Sequence, residues 1–155
     1  MSVVHPLSFV SVIARAAKGK ATKDVLDSLR GVRVMWAGPD QYYVQSASQD
    51  EGGLVKDLHK KLAGLASIID QSHGRVTIRI EGPKVRAVLA KGTPVDLHPE
   101  TFPVGRSAVT QMAHVGIHLT RVAPDAYELS VFRGFSESFW EWLTEMSLEV
   151  GYQVR

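Results

Sequence analysis

The chain has 155 residues, 45% of them hydrophobic and 22% charged, with a formal net charge of +2 and no cysteine. That balance describes a globular chain of single-domain size and excludes a disordered one, which would carry fewer aliphatics and more net charge. It also removes disulfides, thiol nucleophiles and thiolate metal sites, and a reducing cytoplasm is the expected compartment. No apolar run reaches the roughly 18 residues of a membrane span, so no membrane partner is expected. The first residues lack the basic flank and cleavage site of a secretory signal.

Residues 6–17 predict a helix, with Pro6 in a first turn and Phe9, Val12, Ile13, Ala16 and Ala17 at helical spacing. Lys18-Gly19-Lys20 breaks it, and Thr22 caps a short helix through Val25, Leu26 and Leu29 that ends at Gly31. Val32, Val34 and Trp36 alternate with Arg33 and Met35, and Gly38-Pro39-Asp40 turns the chain into 41–47, a first β-hairpin. Leu54, Val55, Leu58, Leu62, Leu65 and Ile69 form one apolar helical stripe, favoured at its start by Asp50 and Glu51 and stopped at Gly74. Val76, Ile78 and Ile80 alternate with Arg75, Thr77 and Arg79 before Gly82-Pro83, which predicts a second hairpin over 75–91.

Residues 91–106 hold Gly92, Pro94, Pro99, Pro103 and Gly105 and read as a long loop, followed by a short helix over 107–115 capped by Ser107. A third hairpin joins 117–122 to 127–133. In the last helix Ser138 and Glu141 fit a capping box, and Phe139, Leu143, Met146 and Val150 form the core stripe. The sum is one α+β domain over 1–155, a mainly antiparallel sheet of three β-hairpins with amphipathic helices packed on it.

Three constellations bear on function. Glu141, Glu145 and Glu149 line the last helix opposite its core residues, with Trp140 at the edge of the apolar face, a combination that suits a protein interface. Residues 1–35 are rich in cations and 124–155 in acids, which lets copies or partners associate head to tail. Arg75, Arg79, Lys84 and Arg86 would share one face of the second hairpin, with Arg33 extending the patch from a neighbouring strand. Such a surface could contact phosphates, although no base-stacking aromatic accompanies it.

His118-Leu119-Thr120 resembles one half of the paired His-x-Thr/Ser signature of the 2H phosphoesterases. Those enzymes divide base and acid between two histidines, whereas His5, His73 and His98 each lack a hydroxyl residue two positions on. No catalytic residue is therefore assigned. Asp96, His98 and Glu100 alternate within the loop but need further ligands to hold a metal, so no metal or cofactor is assigned either. The expectation is a non-enzymatic binding or assembly domain, a subunit of a larger complex with a protein partner or self-association. The alternative is a small nucleic-acid-binding domain using the basic hairpin 75–91. A hydrolase centred on His118 and the 91–106 loop comes third.

Overall fold

A computed structural model describes residues 1–4, 8–49 and 51–155, with the backbone only of Glu51. The expected roles of Pro6, Asp50 and the Glu51 side chain lie outside the described residues. The chain divides into two compact units, an inserted unit of residues 5–73 and a host unit of residues 1–4 with 74–155.

The host unit opens with β1 (Ser2–Val4), and the chain then enters the inserted unit. That unit runs β2 (Ser8–Ala14), α1 (Gly19–Ser28), β3 (Arg33–Gly38), β4 (Gln41–Ser46), α2 (Glu51–Lys61) and β5 (Ala66–Asp70). Its sheet has the order β3-β4-β2-β5, with every neighbouring pair antiparallel. Two βαβ halves interleaved in this way form the split, ferredoxin-like arrangement. Val10, Val12 and Val44 from the sheet meet Leu26 of α1 and Leu54, Leu58 and Leu62 of α2 in one core.

Three sequence expectations fail here. Thr22 caps nothing: α1 starts at Gly19, and the buried Thr22 hydroxyl donates to the Leu65 carbonyl at 3.3 Å. Residues 8–14 are a strand and not a helix. Ser8 to Val12 are all buried, so the central strand shows no alternation, and its β-branched Val10, Val12 and Ile13 favour the pleated surface. The stripe expected from Leu54 to Ile69 spans two elements. α2 ends at Lys61 and Gly64 sits at φ 73°, a left-handed turn that stops a helix. Ala66–Asp70 then pairs with β2.

The host unit continues with β6 (Arg75–Glu81), α3 (Val85–Leu89), β7 (Ser107–Met112), β8 (Val115–Ala123), β9 (Ala126–Phe132), a 3₁₀ turn (Arg133–Phe135) and α4 (Ser136–Ser147). Its antiparallel sheet has the order β1-β6-β9-β8-β7. One face, carrying Ile78, Ile80, Ile117, Leu119, Leu129 and Val131, packs under α3 and α4, where Phe139 and Leu143 are fully buried. The opposite face is polar yet buried at Thr77, His118, Thr120, Glu128 and Ser130.

The fold class is α+β with antiparallel sheets, as the sequence indicates, and hairpins join β3–β4, β7–β8 and β8–β9. The expected hairpin over 75–91 is absent. Only β6 is a strand there, and 85–89 coil into α3, which buries Val85, Val88 and Leu89 on the sheet. In compensation 107–112 is strand β7 where a helix was expected. Ser107 caps nothing; its hydroxyl lies 2.9 Å from that of Thr120 across the β7–β8 pair. α4 starts at Ser136, so Ser138 lies inside the first turn with its hydroxyl donating to the Phe135 carbonyl, and no capping box forms. Val150 falls beyond the helix and is exposed.

Candidate functional site

α4 places its charged residues by helical geometry. With Phe139 and Leu143 fixed in the core, Glu141 and Glu145 emerge on the solvent side, both exposed and without an ion pair among the described residues. Glu149 differs. The Lys91 ammonium donates to its carboxylate and to the Met146 carbonyl, and this hydrogen bond with its charge holds the Glu149 carboxyl below the usual range. Trp140 is half-buried against the host core, so it seals the rim of that core while showing part of its ring. Trp142, which the sequence did not flag, stacks on Phe139 with ring centroids 6.0 Å apart.

After α4 comes a run of exposed apolar residues that sequence reasoning missed. Leu148, Val150, Tyr152 and Val154 follow the helix, all exposed, with Leu148 67% exposed. Their period-two spacing was the available signal. The segment runs beside β1: the Met1 ammonium donates to the Gln153 carbonyl at 2.6 Å, and the Arg155 N–H to the Met1 carbonyl at 2.9 Å. Exposed apolar residues gathered on one segment are a feature of interaction surfaces.

The basic candidates do not form one platform. Arg33 lies on β3, in the inserted unit. Arg75 and Arg79 share the polar face of β6, and both are engaged. The Arg75 guanidinium stands 4.2 Å from the centroid of the Phe132 ring, and Arg79 Nε lies 3.0 Å from a Glu81 carboxylate oxygen. Lys84 and Arg86 belong to the start of α3, on the core side of the sheet. Arg79 and Lys84 do border a cleft of about 530 Å³ together with Glu81, Tyr152 and Arg155. Arg155 there reaches the same Glu81 at 3.8 Å.

The hydrolase constellation also comes apart. His118 is 2% exposed on the polar face, while the 91–106 loop inserts Leu97 and Phe102 into the core on the other face. The sheet itself separates them. Asp96 is turned back on its own loop. It accepts the His98 N–H at 2.9 Å, and that bond, then the Thr101 hydroxyl, lowers its pKa. Among the described residues no three His, Asp or Glu side chains gather at a metal-binding distance. Arg121 anchors the loop from within, donating to the Phe102 carbonyl at 2.9 Å and to Pro124 at 2.6 Å.

The chain is thus built of two antiparallel α+β units, the host unit with exposed apolar residues after α4 and an exposed acidic pair on the helix. Residues 22–149 match the sarcosine oxidase gamma subunit family, and the chain belongs to that family. It is 29% identical over 130 residues to the sarcosine oxidase subunit gamma of Corynebacterium sp. (strain U-96), covering 83% of this chain and 62% of that one. To the subunit gamma of an Arthrobacter species it is 30% identical over 127 residues, 81% of this chain and 62% of that one. The chain thus spans about 62% of the length of these curated relatives. In fold it resembles a chain of the heterotetrameric sarcosine oxidase from Corynebacterium sp. U-96 in complex with pyrrole 2-carboxylate. The TM-score is 0.80 at 24% identity, over 96% of this chain and 83% of that chain.

Proposed function

We propose that this chain is an assembly subunit of a sarcosine-oxidase-type heteromer, docking on partner subunits through α4 and the strip that follows it. The family match over residues 22–149 carries this reading. The surface supports it: Trp140 supplies a partly exposed aromatic anchor, and Leu148 and Tyr152 supply apolar area. Glu141 and Glu145 supply unspent charge for specificity, whereas the Glu149 charge is already matched by Lys91. In this role the chain contributes contacts and not acid–base chemistry, since His118 is shut inside the sheet. No helix among the described residues is long and apolar enough to cross a membrane, and a cytoplasmic assembly fits a chain that needs no disulfide.

A nucleic-acid role lacks comparable support, because the four cations of 75–91 are divided between two faces and two of them are already engaged. The test is co-expression with the remaining subunits of the host's sarcosine oxidase. Wild type should co-purify in fixed stoichiometry, and Glu141→Lys combined with Glu145→Lys should weaken recovery about tenfold. A wild-type chain that stays monomeric beside those subunits would refute the assignment.

A further inference from the structure

Strand β7 is one of the two outer strands of the host sheet, and its register fixes which backbone groups face outward. Met112↔Val115 closes a two-residue turn in which Ala113 and His114 both have positive φ, 52° and 66°. This is the type I′ geometry, whose flanking pair exchanges both ladder bonds. Counting back by twos, Thr110 and Ala108 also bond β8, which leaves the N–H and C=O groups of Ser107, Val109 and Gln111 aimed away from it. Among the described residues no backbone group meets them; the Thr110 hydroxyl reaches the Gln111 carbonyl at 3.3 Å.

Proteins guard such edges with charge, proline, bulges or covering segments. β1 has the 153–155 segment beside it, β3 carries Arg33 and a register shift at Trp36/Gly38, and β5 ends in Asp70. β7 reads Ser-Ala-Val-Thr-Gln-Met, pairs with β8 without a register shift, and leaves Val109 55% exposed. The loop after α3 meets it at Thr110, whose hydroxyl lies 3.3 Å from that of Thr93, and at its turn, where the Ala113 N–H donates to the Gly92 carbonyl, and not at the outward groups of Ser107, Val109 and Gln111. We infer that β7 is a docking edge that takes an extended, uncharged segment of a partner subunit as an added strand. An extended backbone matches outward groups that repeat about every 7 Å. An uncharged segment fits because β7 offers no counter-charge and Val109 offers an apolar side chain to cover. That the occupant is another subunit and not a second copy rests on the assembly role proposed above.

Proline at an outward position deletes one docking donor without touching the β8 ladder, so Val109→Pro separates docking from folding. Val109→Thr keeps the donor and the shape. Each variant is co-expressed with the remaining subunits of the host's sarcosine oxidase. Val109→Thr should assemble like wild type, whereas Val109→Pro should lose about tenfold or more of its binding with an unchanged circular dichroism spectrum. If Val109→Pro fails to fold, Val109→Lys, a gatekeeper charge on the same edge, serves in its place. The amides of Val109 and Gln111 should exchange about tenfold or more slower in the complex than in the free chain. If wild type assembles while these amides exchange as in the free chain and both variants assemble equally, the docking edge is refuted and the assembly role stands. If wild type does not assemble, both fall. A homodimer paired β7 to β7 would refute the heterologous partner.

Discussion

Gly92→Ala tests the packing of the host core at a single atom. A Cβ built on Gly92 would lie 2.4 Å from Trp142 Cη2, 2.5 Å from Cζ2 and 2.9 Å from Met112 Cγ, where ordinary contact begins at 3.4 Å. The ring would have to withdraw by about 1 Å. It has little room, because Phe139 stacks on it and Met112 is fully buried. The backbone cannot retreat instead, since the Gly92 N–H donates to the Leu89 carbonyl and its own carbonyl accepts from Ala113. Overpacking of this kind costs about 1–3 kcal/mol, offset by about 0.4–1 kcal/mol from the smaller freedom of alanine in the unfolded chain. The expected net loss is about 1–2 kcal/mol, which lowers the host unit's melting temperature by roughly 4–16 °C. Calorimetry gives the shift, and the near-ultraviolet circular dichroism of Trp142 should change with it. Trp142→Leu in the Gly92→Ala background should recover part of the loss, giving a coupling of about 1 kcal/mol. Wild-type stability with an unchanged tryptophan spectrum would refute the argument.

Three further outcomes follow from the same core and its surface. Phe139→Ala, at a fully buried position, should cost roughly 3–5 kcal/mol in denaturant unfolding. Lys91→Met should raise the Glu149 titration midpoint measured by carboxyl NMR. Because the folded pKa is depressed, that pair's stabilisation is present above the unfolded value and lost as pH falls through the folded one, so the variant should show less of this acid sensitivity. Arg121→Met should speed amide exchange and proteolysis across 102–106, where the guanidinium holds the Phe102 carbonyl.

The parts of the fold legible from sequence were those whose buried face alternates with a solvated one, or whose turns carry strong signals. The 32–47 hairpin was marked by Gly38-Pro39-Asp40, and the last helix by its Phe139–Leu143 spacing. β2 was missed because a strand buried on both faces shows no period two, and its apolar residues also satisfy helical spacing. β7 was missed for the opposite reason: an edge with one exposed valine carries almost no hydrophobic pattern. At 84–90 alternation fits Val85, Ala87 and Leu89 while helical spacing fits Val85, Val88 and Leu89, and only tertiary packing decides between them. Of the site, the acidic stripe and Trp140 were visible, but the Lys91–Glu149 pair joins residues 58 apart in sequence and no local pattern announces it. The basic patch dissolved because it presumed a strand where α3 forms.

The insertion of residues 5–73 between β1 and β6 orders events during synthesis. β1 precedes the inserted unit, yet its partner β6, paired through Ser2↔Arg79 and Val4↔Thr77, is made only after the whole of that unit. The inserted unit is continuous in sequence and can close its own sheet on the ribosome, as domains generally do. The leader strand meanwhile waits unpaired. Closing so long a loop adds only slowly to the entropic cost, and a folded insert with its ends held together shortens the loop that remains. Residues 1–4 can pair only after the insert has been made, and their loss should leave the inserted unit intact while exposing the β6 edge of the host sheet.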